Sequence, residues 1–186
     1  MKPTLIAGIV VITLLITGTG LAEEKAYFRE FEWGMSPEQV KKTEPADQIT
    51  GEMPEVLIYK GEIAGIRASI FYLFDQDKLT RGLYSIETGE QDMIVKDYET
   101  IRTFMLKQYG EPAEVKMGLE KEISTDELDP ENPDDLYTLV LKKFLSPEII
   151  WKKGGTQIYL RLTEKDGLVA VMIDYIPNNF FPMEKE

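Results

Sequence analysis

The 186-residue chain contains neither cysteine nor histidine. Because no disulfide can form without cysteine, the fold must be stabilised by its hydrophobic core alone. The lack of histidine removes the commonest general base and the commonest transition-metal ligand. Zinc and copper sites, Ser-His-Asp triads and Cys-His pairs are therefore excluded. We expect no cofactor, and we do not expect a conventional enzyme.

Basic residues are also in the minority. The chain has 21 Lys and Arg residues against 33 Asp and Glu residues, which gives a formal net charge of −12. Such a chain repels the phosphate backbone of nucleic acids, so a nucleic-acid partner is not expected. It also repels anionic lipid headgroups, which argues against adsorption to a membrane through a basic patch.

A long apolar run covers residues 5–16, near the N-terminus. Lys2 precedes this run and small residues follow it, which is typical of a secretory signal peptide. Gly20 and Ala22 provide small side chains at the exit, so we expect cleavage before Glu23. Because no cysteine stands there, the chain is not expected to be a lipoprotein.

The alternative is an uncleaved N-terminal anchor, since residues 4–22 are about long enough to cross a bilayer. In that case the protein would meet the membrane only through these residues. Under either interpretation residues 23–186 lie outside the cytoplasm, in the periplasm or secreted. Their length is that of one domain with a proper hydrophobic core.

Local patterns in residues 23–186 predict an α+β fold. Ser36 is a good N-cap, followed by Pro37 at the first helical position and by Gln39 where a capping box needs it. Apolar spacing predicts two further helices over residues 93–109 and 136–145, the second capped by Asp134 and ended by Pro147. Alternating apolar residues predict strands over 56–59, 66–74, 79–87, 149–151, 157–163 and 168–176.

The order of these elements is helix and then three strands, twice over. This order favours either two αβββ units or one continuous antiparallel sheet with helices on one face. Polar or glycine-containing turns, at residues 75–78 and at Asp166-Gly167, predict the hairpins.

Two short motifs carry a resemblance to known proteins. Residues 33–40 read W-G-M-S-P-E-Q-V and residues 109–112 read Y-G-E-P. Together they resemble uncharacterised small exported bacterial proteins that open with W-G-x-S-x-x-x-V and continue as a helix and a β-meander. More distantly, the order of elements is similar to the outer-membrane assembly lipoprotein BamE and to β-lactamase inhibitor protein. These resemblances imply a non-catalytic, protein-binding role, although the chain departs from BamE in lacking a cysteine for lipidation.

Residues 120–135 are acidic and rich in turn-forming residues, which predicts an exposed loop. Calcium binding is the alternative, because hard cations take carboxylate oxygens. The segment lacks the glycine and the regular spacing of an EF-hand loop, so we expect a solvated loop without a metal. The side chains that calcium would need are those of Asp126, Asp129, Asp134 and Asp135.

Aromatic residues are frequent on the predicted strands and could line a groove for a peptide, glycan or apolar ligand. Packing of a sheet against helices explains most of them equally well. Tyr159 is the exception, because it points away from Ile158 and Leu160 and stands near Arg161. We therefore predict that Tyr159 and Arg161 belong to an interaction surface on the outer face of the sheet. The acidic loop, with Asp126, Asp129, Asp134 and Asp135, is the other candidate interaction surface.

Asp75 and Asp77 offer a carboxylate pair of the kind used in glycoside hydrolysis. In a hairpin turn, however, aspartate is common because its side chain bonds to the local backbone. We therefore predict a non-enzymatic binding or interaction domain of the bacterial cell envelope, which binds another envelope protein or a small ligand. The alternatives are a carboxylate-dependent envelope hydrolase and a secreted enzyme inhibitor.

Overall fold

The computed structural model describes residues 27–87, 91–119, 129–165 and 167–178. The predicted leader, Asp126 and Asp166 lie outside these residues. In the described part, the helices are α1 Pro37–Thr43, α2 Gln91–Tyr109 and α3 Pro133–Leu141. The strands there are β1 Tyr27–Phe28, β2 Phe31–Glu32, β3 Ile49–Met53, β4 Val56–Ile63, β5 Ile66–Asp75, β6 Lys78–Glu87, β7 Glu114–Leu119, β8 Leu145–Lys153, β9 Thr156–Lys165 and β10 Leu168–Pro177.

The predicted α+β fold with a continuous antiparallel sheet is confirmed. Eight strands form one sheet in the order β3-β4-β5-β6-β10-β9-β8-β7. Strands β3 to β6 form one meander, and strands β7 to β10 form another. The two meanders meet where β6 pairs with β10 in antiparallel register.

Each meander has four strands rather than the predicted three, because the sequence analysis missed β3 and β7. Both are edge strands, each pairing with one neighbour in the sheet. An edge strand is held mainly by backbone hydrogen bonds and leaves many side chains in water. The side chains of Val115 and Met117 on β7 are accordingly exposed, so no alternation of burial marks the strand in the sequence.

The predicted start of α1 is confirmed in detail. The Ser36 hydroxyl accepts a hydrogen bond from the Gln39 N–H, and the Gln39 side chain accepts one from the Ser36 N–H. This reciprocal pair is a capping box, and Pro37 occupies the first helical position.

The predicted bounds of α3 and its cap are wrong. Asn132, not Asp134, caps the helix by accepting a hydrogen bond from the Asp134 N–H at 3.0 Å. The helix ends four residues earlier than position 145 because Lys143 adopts a left-handed conformation, with φ of 58°. Pro147 lies inside β8 and does not end a helix.

The three helices and the short β1–β2 hairpin all pack against one face of the sheet. Their buried side chains join those of the sheet in one hydrophobic core. We call this the helical face and the opposite side the outer face. From β10, the alternating residues Val169, Val171, Ile173 and Tyr175 point into the core. Within the described residues, no helix is both long and apolar enough to cross a membrane.

Candidate functional site

A cleft of about 390 Å³ opens on the helical face. Its walls come from the β1–β2 hairpin, the β4–β5 turn, the last turns of α2 and the β8–β9 turn, and strands β6 and β10 supply residues at its base. Segments distant in sequence therefore meet around it. Its principal lining residues are Tyr27, Arg29, Glu62, Ala64, Tyr84, Phe104, Gln108, Tyr109, Lys153, Thr156 and Tyr175.

Arg29 lies in the turn of the β1–β2 hairpin, with a φ of 57° that L-residues rarely adopt. Its Nη1 donates to Glu44 Oε1 at 2.5 Å and to the Tyr72 hydroxyl at 2.9 Å. The Tyr72 hydroxyl also donates to Glu44. These three side chains bind the hairpin to the end of α1 and to β5. They fix the guanidinium at the cleft wall.

Burial governs the electrostatics of this group. The Glu44 side chain is 2% exposed, whereas the Arg29 side chain is 30% exposed. Burial raises the pKa of Tyr72 far above its ordinary value, and its hydrogen bond to Glu44 raises it further. Tyr72 therefore stays a neutral hydrogen-bond donor. Among the described residues, the remaining Arg29 nitrogens, Nε and Nη2, have no hydrogen-bond partner.

Tyrosine hydroxyls lie at the base of the cleft. The Tyr109 and Tyr175 hydroxyl oxygens are 3.3 Å apart. Tyr84 is 7% exposed, and burial raises its pKa to about 12. Within the described part of the chain, the Tyr84 hydroxyl has no hydrogen-bond partner. Among the described residues, no fully buried side-chain polar atom lacks a partner, so this hydroxyl reaches the solvent of the cleft, where a ligand can accept its hydrogen bond.

The structure places Tyr159 and Arg161 on the outer face, as their alternation with Leu160 indicates. The Arg161 guanidinium carbon lies 4.6 Å from the centre of the Tyr159 ring. The Tyr159 hydroxyl donates to Gln157 at 2.6 Å. Both side chains thus bind neighbours on their own sheet, and an interaction role for them remains a prediction.

Arg161 also belongs to a row of alternating charges that crosses five strands of the outer face. We call it the ion row. Arg161 donates to Glu148 on one side, at 2.5 Å, and to Asp174 on the other, at 2.7 Å. Its members, from β6 through β10, β9 and β8 to β7, are Arg81, Asp174, Arg161, Glu148 and Lys116.

Two aspartates of the acidic segment, Asp129 and Asp135, bind the local backbone. Asp135 accepts from the Asp129 N–H at 3.1 Å, and Asp129 accepts from the Glu131 N–H at 2.9 Å. Asp134 follows the cap of α3 in its first turn. In the described ranges, no three acidic side chains gather in a way that could hold a metal ion.

Asp75 and Asp77 are exposed at the β5–β6 hairpin, as predicted: Asp75 ends β5 and Asp77 lies in the turn. Of the aromatic residues considered for a groove, Tyr59, Tyr72 and Trp151 are buried in the core. Tyr84 and Tyr175 do reach the cleft. The sequence did not single out Arg29 or Glu44. For Arg29, the signal available was a charged residue inside the aromatic stretch Tyr27 to Trp33.

Comparisons with known proteins add little to this geometry. No protein-family model matches the chain, and no curated protein matches it. Among solved structures, the chain is similar to a DUF4309 family protein, YjgB, from Bacillus subtilis subsp. subtilis str. 168, at 11% sequence identity. The match covers 76% of this chain and 78% of that chain with a TM-score of 0.36, and neither fold nor function is inferred from a score this low.

Proposed function

We propose that this protein is a non-enzymatic, extracytoplasmic binding domain that takes a small organic ligand in the cleft on its helical face. The observation that carries this proposal is the Tyr84 hydroxyl, which belongs to a largely buried ring, reaches solvent in the cleft and has no protein partner among the described residues. A free donor held in a fixed place inside a concave site can fix the orientation of a ligand. A ligand that accepts a hydrogen bond from Tyr84 would replace the solvent there.

The composition of the cleft supports binding rather than glycoside hydrolysis. A glycosidase needs two carboxyl groups about 5–10 Å apart on either side of its substrate. In the described residues that line this cleft, Glu62 supplies the carboxylate, and the other polar groups are mainly hydroxyls and cations. Such groups recognise a ligand, but they do not form the acid and base pair of a hydrolase.

The extracytoplasmic location is supported by the sequence of the leader. The apolar run of residues 5–16 and the small residues after it are typical of export. A fold that contains no cysteine suits either side of the membrane, since its stability does not depend on the redox state of the compartment.

A protein partner on the outer face is the second candidate, and one observation favours it. Phe71 and Leu73 are half-buried on the outer face of β5, next to the ion row. Apolar side chains beside charged ones are common at protein interfaces. Crosslinking in native envelopes tests this candidate: a partner captured by the wild type and lost with Tyr159→Ala would support it.

A ligand screen by thermal unfolding tests the cleft. Compounds that bind the folded state raise the unfolding temperature in proportion to the logarithm of their concentration over Kd. We expect stabilising compounds, and we expect Gln108→Trp, an exposed position on α2 that lines the cleft, to abolish their effect. Lys107→Trp, the adjacent exposed position outside the cleft lining, is the matched control. Stabilisation that survives Gln108→Trp, or no stabilising compound at all, would overturn the proposed site.

A further inference from the structure

Building on the binding function proposed above, we infer that the ligand of the cleft is a small organic anion with an aromatic or apolar body. Arg29 and Lys153 would hold its anionic group, and Glu44 and Tyr72 would act as positioning residues for Arg29. The inference rests on the two cations that line the cleft, on the hydrogen-bonding capacity left on Arg29, and on the aromatic walls.

The cleft is less acidic than the protein as a whole. The chain carries 33 acidic against 21 basic residues. Among the described residues that line the cleft, Arg29 and Lys153 are the cations and Glu62 is the carboxylate. The Glu44 carboxylate behind Arg29 is 2% exposed and offsets part of this positive charge. An anion therefore meets less repulsion in the cleft, where two cations are within reach, than on the remaining acidic surface.

Arg29 is prepared to bind an anion in a fixed orientation. Its Nη1 is held by Glu44 and Tyr72, which leaves Nε and Nη2 without partners among the described residues. A guanidinium presents its donors in a rigid fork that matches the two oxygens of a carboxylate or a sulfonate. Because Nη1 is already fixed, the Arg29 side chain loses less conformational entropy when an anion binds to it.

The remaining walls fit an aromatic or apolar body. Tyr27 and Phe104 are both exposed, at 41% and 37%, and both line the cleft. Exposed aromatic side chains next to a cationic group provide apolar contact surface for the part of the ligand that carries no charge. Tyr84 can donate its hydroxyl proton to the anionic group or to a polar atom near it.

Two matched fluorescent probes test the ligand class. The anion 8-anilinonaphthalene-1-sulfonate and the neutral N-phenyl-1-naphthylamine share one aromatic frame and differ by the sulfonate. Each is titrated into the purified full-length protein, and Kd is measured by fluorescence and by calorimetry. We expect the anion to bind at least tenfold more tightly than the neutral probe.

Charge variants then locate the anionic group. Lys153→Gln should weaken binding of the anion about threefold or more, whereas the adjacent Lys152→Gln, outside the cleft lining, should leave it unchanged. Arg29→Gln is combined with Glu44→Gln, because the single change would leave a buried carboxylate without its cation. The double variant should raise the Kd of the anionic probe at least tenfold and leave the Kd of the neutral probe within twofold of the wild-type value. The Tyr72→Phe variant should raise the Kd of the anionic probe by a smaller factor than the double variant does. Its far-ultraviolet circular dichroism spectrum should be that of the wild type.

Failure of the ligand class and failure of the cleft give different results. If both probes bind with equal affinity, and both lose affinity in the Gln108→Trp variant, the cleft binds ligands but does not select anions. This inference is then wrong. If Gln108→Trp changes the Kd of neither probe, the proposed binding site itself is wrong. Equal losses with Lys152→Gln and Lys153→Gln would show a general charge effect and would also overturn the inference.

Discussion

The ring of Phe28 lies directly against the backbone of Gly82. A methyl group built on Gly82 would overlap the Phe28 ring atoms. Phe28 is fully buried and contacts the rings of Tyr72, Tyr84 and Tyr175. The lack of a side chain at Gly82 therefore allows the β1–β2 hairpin, and with it the wall of the cleft that carries Arg29, to lie close to the sheet.

We predict that Gly82→Ala lowers the free energy of unfolding by about 3 kcal/mol, because the new methyl group must displace a buried phenylalanine from the core. Chemical denaturation measures this loss. In a Phe28→Ala background the same change should cost less than 1 kcal/mol, since the ring is no longer there. Additive losses in the double variant would contradict the contact.

Buried tyrosines predict a loss of stability at alkaline pH. Burial raises the pKa of Tyr98 to about 12, against about 10 in an unfolded chain. Below pH 10 both states keep the proton, so stability has its full value. Between pH 10 and pH 12 the unfolded chain loses the proton while the folded protein keeps it. The free energy of unfolding therefore falls by about 1.4 kcal/mol per pH unit for this tyrosine.

Tyr98→Phe should remove that contribution. At pH 11 the variant should regain about 1.4 kcal/mol relative to the wild type, compared with the difference between the two proteins at pH 8. Urea denaturation at both pH values measures this. Tyr27→Phe, at an exposed position, serves as the matched control. An equal gain in both variants would contradict the effect of burial.

The parts of the fold that the sequence predicted are those with a strong local signal. The Ser36 capping box and the apolar spacing of α2 depend on residues close together in the chain. The strands β3 and β7 were missed because edge strands leave few side chains buried, so their sequences lack a clear alternation. β7 in addition pairs with β8, which follows only after α3 in the sequence. The predicted end of α3 was wrong because Lys143 adopts the left-handed conformation that ends the helix. Glycine usually occupies such a position, so the sequence carries no signal there.

The cleft could not be predicted, because its residues come from segments that only the sheet order brings together. Arg29 and Lys153 are 124 positions apart in the sequence, and nothing local relates them. In contrast, the outward orientation of Tyr159 and Arg161 followed from simple alternation along one strand. Periodicity thus identifies the face on which a residue lies, but not the distant residues beside it.

The turn between β5 and β6 predicts a stabilising substitution. Gln76 and Asp77 both have positive φ, of 48° and 59°, and form a two-residue hairpin turn. Glycine adopts that conformation without strain, and Asn and Asp do so more readily than glutamine, so most of the strain lies at Gln76. Replacing the pair by Asn-Gly should raise the free energy of unfolding by about 1 kcal/mol, measured by thermal or urea denaturation. The same change should leave ligand binding in the cleft unaltered, since neither residue lines it.

Asp174 of the ion row should contribute strongly to the pairing of the two meanders. Asp174 on β10 is 1% exposed and lies between Arg81 on β6 and Arg161 on β9, at 2.6 and 2.7 Å. Asp174→Ala would remove the carboxylate between these two half-exposed arginines, so that Arg81 loses its ion-pair partner and Arg161 keeps only Glu148. We expect a loss of about 2–3 kcal/mol in the free energy of unfolding, less than for a fully buried pair because water still reaches the arginines.

Glu148→Ala is the matched comparison, since Glu148 also binds Arg161 but leaves that arginine its contact with Asp174. Its loss should stay below about 1 kcal/mol, as for partly exposed ion pairs. Raising the salt concentration should reduce the effect of Glu148→Ala more than that of Asp174→Ala, because salt screens exposed charges more strongly than buried ones. Equal losses for the two variants would show that the burial of Asp174 does not determine its contribution.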